Sequence, residues 1–177
     1  MNQVSAIDPV GPILTAYAFN LKYAGQLVTD VPPDLLYRSY GPGTENHPAF
    51  TLGHLVIASA LMAEYLGDAY DVPEGWDALF RRKGPGDPRR PDTGPAGAPS
   101  KQDLLSALTV RHQRVAEIVT GLSAEDLTRR SSWRFSDHFP RMIDLIQFMC
   151  VTHEAMHLAQ AGAWRRVAGL DSALARL

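Results

Sequence analysis

The sequence is poor in cysteine. Cys150 is the only one in 177 residues, so an internal disulfide framework is excluded and the cytoplasm is the default compartment. Long hydrophobic runs are also missing. No apolar stretch approaches the roughly 18 residues that a membrane-spanning helix needs. The opening residues, MNQVSAIDPVGP, have neither a basic nor an apolar segment of the secretory kind, so no signal peptide is expected. Neither sign of charge dominates: 17 Lys and Arg stand against 19 Asp and Glu, for a net charge of −2. That balance gives no footprint for nucleic acid or for an anionic membrane. Arg81, Arg82, Lys83, Arg89 and Arg90 cluster, but in a Pro/Gly-rich stretch that reads as a solvated loop. No strand pattern, internal repeat or domain boundary emerges.

What the chain does have is an ordinary apolar share of 45%, a charged share of 20%, and helical periodicity along most of its length. Length and continuity predict one domain over residues 1–177. Val10, Ile13, Leu14, Tyr17, Leu21, Ala24 and Val28 recur at three and four, which predicts a first helix over about 10–28. Prolines and glycines break the chain over 29–48. A second helix is predicted over about 49–67, and a short turn around Trp76, Leu79 and Phe80. Residues 84–99 carry five prolines and four glycines, a composition for a wrapping or disordered connection. Ser100 with Asp103 reads as the cap of a third helix over about 101–122. Ser123 restarts a short turn. Pro140 suits the first turn of a fourth helix and Gly169 its C′ position. Within that helix Ile143, Ile146, Cys150, His153, His157, Trp164 and Ala168 read as one inward face. The expected class is all-α, a four-helix bundle with two long connections.

His153 and His157 stand four apart, one turn above each other on one helix face, the spacing of two cis metal ligands. His153-Glu154-Ala155-Met156-His157 also spells the zinc-protease signature. The extended pattern, however, needs Gly and His where this chain has Gln160 and Ala163, and no Glu or His follows His157. A third ligand must come from upstream. His47, in a loop before a proline, His138, just before the last helix, and His112, on the core line of the third helix, all compete with His54. The row Ala58, Leu61 and Tyr65 slightly favours His54.

Taken together, Asn46-His47-Pro48-Ala49-Phe50-Thr51-Leu52-Gly53-His54-Leu55, Gly75-Trp76-Asp77-Ala78-Leu79-Phe80, His153 to Gln160, Trp164-Arg165-Arg166 and Gly169 resemble the DinB-like family, the DinB/YfiT superfamily, in the right order over nearly the whole chain. The departure is Ala159, where that family often has glycine. The resemblance implies a four-helix bundle with a divalent metal, zinc or nickel, near one end. It places the early helix-two histidine on His54 and the H-x-x-x-H pair on His153 and His157, with water completing the shell. It also implies a homodimer.

A three-histidine site keeps an open position, and the metal there ionises bound water or thiol. The resemblance therefore implies an enzyme of thiol transferase or hydrolase type acting on a small molecule, with a low-molecular-weight thiol as candidate partner. A non-catalytic metal-binding stress or interaction protein is the alternative. Glu154 is the candidate catalytic base or ligand-orienting carboxylate, against a reading as a solvated residue about 100° round from His153. Cys150 reads as a small buried hydrophobe, Gln160 as a packing residue, and Trp133, Trp164 and Tyr65 as core.

Overall fold

The computed structural model describes residues 8–84, 87, 89–91 and 93–177. The reading of residues 1–7 as lacking a signal lies outside them, as do residues 85, 86, 88 and 92 of the proline-rich connection. Helices α1 (Gly11–Val28), α2 (Pro48–Tyr65), α3 (Trp76–Phe80), α4 (Lys101–Thr120), α5 (Ala124–Thr128), α6 (Met142–Gln147) and α7 (Glu154–Val167) make an all-α protein with no strand among the described residues. A wide π turn, Phe148–His153, joins α6 to α7, so that the two form one long rod. Around the bundle, α1 packs on α4 and α7, and α2 packs on the same two from the other side.

Local chemistry sets the helix ends. The His47 ring caps α2, its Nδ1 accepting the Phe50 N–H at 3.0 Å. Ser100 with Asp103, and Ser123 with Asp126, form reciprocal capping boxes at α4 and α5. Gly169, at φ +74°, closes α7 with the two reversed hydrogen bonds of a Schellman ending, Leu170 N–H to Arg165 and Gly169 N–H to Arg166. Lys101 Nζ donates to the carbonyls of Val28, Thr29 and Val31 at 3.0 Å, which ties the end of α1 to the start of α4. Pro140 does not lie in the first turn of the last helix. Residues 140–142 are engaged with 129–131 through Ser131 N–H to Pro140 O and Met142 N–H to Arg129 O, so the helix starts at Met142. The connection after α3 wraps the bundle where it is described: the Tyr37 hydroxyl donates to Pro99 O at 2.8 Å, and Pro91 and Pro99 are buried.

Helix α2 is buried on nearly every side, as a central helix should be. The core falls into two apolar clusters. One holds Leu27, Leu52, Leu55, Leu104, Leu108, Leu158 and Trp164; the other holds Ile13, Met62, Val115, Val119, Leu145, Ile146 and Cys150. Between them in sequence, the four long helices α1, α2, α4 and α7 place the buried polar residues Asn20, Ser59, His112 and Glu154. Arg165, only 2% exposed, adds a buried cation near the other end. It meets Asp30 with both outer nitrogens and donates to the carbonyls of Leu27 and Asp171.

The π turn corrects the expected inward face. Before it, Met142, Ile146 and Cys150 are buried; after it, Glu154, Leu158, Ala161 and Arg165 are, with Trp164 beside them. An unbroken α-helix would have continued the first set into 153, 157, 160 and 164. The wide turn takes up one extra residue, and every later position shifts by one. His153 and His157 therefore stand at the edge of the core, half-buried, and Glu154 points in. Asn20 Nδ2 donates to the carbonyls of Cys150 and Val151 at 3.2 and 3.5 Å, supplying a side-chain partner within this irregular turn.

Candidate metal centre

Three imidazoles converge where the second turn of α2 passes the start of α7. One ring nitrogen from each of His54, His153 and His157 lies within 4.8 Å of the other two. Ring centroids are 4.5 Å apart for His54 and His157, 4.6 Å for His153 and His157, and 5.5 Å for His54 and His153. Donors held roughly 2.0–2.1 Å from one ion stand no more than about 4.2 Å apart, so small side-chain rotations close the set.

The position of His54 follows from its neighbours. His47 fixes where α2 begins, two turns upstream. Gly53 then leaves a bare patch on the helix, and Phe80 fills it: a Cβ at Gly53 would stand 2.3 Å from the Phe80 ring. This close approach brings the Phe80 carbonyl to 3.0 Å from His54 Nδ1. With Nδ1–H donating there, the tautomer is fixed and Nε2 is left as the ligand atom, the usual arrangement around a metal-bound histidine. At the end of the π turn and in the first turn of α7, Nδ1 of His153 and Nδ1 of His157 are buried with no hydrogen-bond partner. Burying polar ring atoms without partners costs energy, and a bound cation beside these rings offsets that cost.

Electrostatics keep the three rings neutral. Burial comes first in every case. It lowers His54, against the Phe80 hydrogen bond and with a smaller push from Arg82. It takes His153 down to about 4, helped by the charges of His54 and Arg134. It takes His157 to about 3, helped by the other two imidazoles and opposed by Gln160. Neutral imidazole is the ligating form. Gln160, expected to pack, is exposed; its Oε1 accepts from Asn46 Nδ2 at 2.8 Å beside His157.

The remaining candidates lie elsewhere. His47 is the cap of α2 and His138 is exposed. His112 is a core residue, stacked on Tyr17 at 3.7 Å. Cys150 is buried among apolar residues, which pushes its thiol well above the ordinary range, and its sulfur is not among the converging atoms. Glu154 is not solvated: it is 2% exposed, and the reading that left it in water is corrected by the one-residue shift of the π turn. Its Oε1 lies 2.7 Å from His112 Nε2, off the axis of the ring N–H. Burial raises its carboxyl, against the pull of His112 and Asn20. Tyr17, whose hydroxyl meets Ser59 Oγ at 3.0 Å, completes this buried group. Sequence reasoning missed Asn20 and Ser59 and read Tyr17 only as part of an apolar row, since an isolated polar residue on an apolar stripe carries no partner information.

Beside the ligands is an aromatic wall. Phe50 stacks on His54, with ring planes 12° apart, and Phe148 lies 6.1 Å from His153 within a group formed with Trp133, Phe135 and Phe139. Among the described residues no helix is long and apolar enough to cross a membrane. No curated protein matches the sequence. A family model described as the DinB superfamily matches residues 17–161, a span that contains all three histidines, the π turn and the Gly53–Phe80 contact. This all-α chain, with three histidines positioned to hold a metal ion, belongs to the DinB superfamily.

Proposed function

We propose that the protein is a metal-dependent enzyme acting on a small electrophile, of thiol transferase or hydrolase type, with zinc or nickel held by His54, His153 and His157. The observation that carries this reading is the convergence of three neutral imidazoles at the edge of the core, half-buried and not sealed in. When bound, the divalent ion supplies a Lewis acid whose charge three neutral ligands leave uncancelled, enough to ionise a thiol or water near neutral pH. The chain's own residues do the rest. The Phe80 carbonyl orients His54, and Gln160, held by Asn46, lies against His157. The aromatic wall restricts water on the His153 side. Cys150 is buried and is the only cysteine in the chain, so an attacking sulfur comes from an external low-molecular-weight thiol. Glu154, the candidate base or ligand-orienting carboxylate, is adjacent to His153 in the chain but turned into the core beside His112, so its proposed part is to position the start of α7 and not to take a proton at the open position.

Elemental analysis of protein purified without added metal is expected to give one divalent ion per chain, with loss in His54→Ala. Metal-loaded protein given a panel of small thiols and a chromogenic electrophile should turn over, stop on chelation and recover on metal re-addition. Thiol-independent ester cleavage that needs the metal would assign the hydrolase version. Metal binding with neither activity would favour a non-catalytic metal-binding stress or interaction protein. The proposed assembly is a homodimer, consistent with the exposed Phe19 of α1 and Met156 and Val167 of α7. A monomer mass by light scattering at tens of micromolar would end that part of the proposal.

A further inference from the structure

Helix α1 supplies none of the three converging histidines, yet one of its residues grips the element that aims two of them. Asn20 lies in the buried stripe of α1 with Ile13, Tyr17, Ala24 and Leu27, and is 8% exposed. A polar amide in an apolar row needs partners. Those of Asn20 lie across the bundle: Nδ2 donates to the carbonyl of Cys150 at 3.2 Å and reaches that of Val151 at 3.5 Å, in the middle of the π turn Phe148–His153. Where a helix widens to take an extra residue, its regular ladder is interrupted, and the carbonyls there call for other donors. One planar amide carries two N–H groups, enough to serve two successive carbonyls.

The effect reaches the metal centre through the chain. Val151 stands two residues before His153, the last residue of the turn, and His157 follows one helical turn later. Both imidazoles therefore move with the turn, whereas His54 is set independently by the Gly53–Phe80 contact and the Phe80 carbonyl. Three ligand atoms within 4.8 Å of one another must keep close to that arrangement to meet one ion at roughly 2.0–2.1 Å. We infer that Asn20 is a positioning residue of the metal centre: by holding the π turn open from α1, it sets His153 and His157 against His54, a role that rests on the metal-dependent reading above.

The test measures zinc affinity by competition with a chromophoric chelator, without denaturant, on wild type, Asn20→Leu and Ser59→Ala. Urea unfolding of the zinc-free proteins gives their stabilities. Leucine keeps the bulk of the side chain and removes its donors. Ser59 is the control, a buried hydroxyl of the same bundle whose hydrogen bond is to Tyr17. A merely structural role for Asn20 would lower stability and leave the affinity of the folded chain as it is. The positioning role is expected to lower zinc affinity about tenfold or more in Asn20→Leu, the usual effect of losing support around a ligand shell, with Ser59→Ala close to wild type. A loss in Asn20→Leu no larger than in Ser59→Ala overturns the inference and leaves the metal reading standing. Amide hydrogen exchange of the zinc-free proteins is the second readout: residues 148–157 should exchange faster in Asn20→Leu than in wild type, beyond any change in α4. Unchanged exchange there overturns the inference whatever the affinity. If wild type takes no zinc, the metal reading falls on its own, and faster exchange still assigns the turn to Asn20. If Asn20→Leu lacks the helical circular dichroism of wild type, Asn20→Ser is read by the same criteria.

Discussion

The ring of Phe80 occupies the space where Gly53 would otherwise carry a side chain, and the same residue's carbonyl accepts from His54. Helix packing and ligand orientation are thus one contact. Gly53→Ala is expected to push α3 off α2 and cost about 1–3 kcal/mol by overpacking. Losing the carbonyl from His54 should also weaken metal binding by about 10–100-fold. Chemical denaturation and a competitive chelator titration measure the two effects. Unchanged metal affinity in a destabilised variant would separate them and remove Phe80 from the site.

The depressed imidazoles make the metal-free fold sensitive to acid. An unfolded histidine titrates near 6.5, whereas His153 and His157 titrate near 4 and 3 when folded. Their contribution is complete above pH 6.5 and is lost as pH falls through the folded values, with a slope of up to about 1.4 kcal/mol per pH unit for each. Glu154 acts with the opposite sign: its raised carboxyl favours the fold at low pH and loses that advantage as pH rises through the folded value. The informative quantity is therefore the difference between wild type and His153→Gln/His157→Gln. Urea unfolding of the two apo proteins at pH 7.5, 5.5 and 4.5 should show a shallower decline in the variant; parallel profiles would contradict the assignment.

His112→Leu would leave the Glu154 carboxylate buried without its nearest partner, at a cost of about 3–5 kcal/mol. His112→Leu with Glu154→Met removes both buried polar groups, and such paired replacements are often close to neutral. The double variant should therefore be more stable than His112→Leu alone. Additive losses in the double-mutant cycle would mean that the 2.7 Å approach carries no coupling.

Arg165 offers a control remote in role from the metal. Arg165→Met keeps the apolar stem but strands the carbonyls of Leu27 and Asp171, each worth about 1–3 kcal/mol when left buried and unpaired. Asp30, held near 2 by the Arg165 hydrogen bond against its own desolvation, should titrate closer to the ordinary aspartate value. Lysine at 165 should rescue poorly, because it lacks the planar fork. Melting temperature should drop in both variants while metal content per folded chain stays constant; a matching loss of metal would show that this end of the bundle supports the site.

Much of the fold was legible because apolar spacing and capping chemistry agree. Ser100, Ser123 and Gly169 mark ends where the structure has them. The His153–His157 pair was legible from spacing, whereas His54 was singled out by resemblance more than by its own helix. The direction of α7 was misread, since periodicity assumes uniform winding and Phe148–His153 breaks it. Asn20 and Ser59 went unseen, and Tyr17 was read only as part of an apolar row, because their partners are on other helices. Arg82, read as part of a solvated loop, is half-buried on Phe50. Its place depends on how a proline-rich connection folds back, which no repeat encodes.

Counting along a helix is a clock that advances 100° per residue, and the π turn stops it for one tick. Had it kept time, the two imidazoles of α7 would point to the middle of the bundle, beyond reach of anything dissolved, and Glu154 would face the solvent. The same letters would then spell an ion sealed inside a protein with nothing to meet it. Shortening the stretch 148–152 by one residue is therefore a change of compass bearing for all that follows, and a chain that lost that residue would keep its helix and lose its doorway.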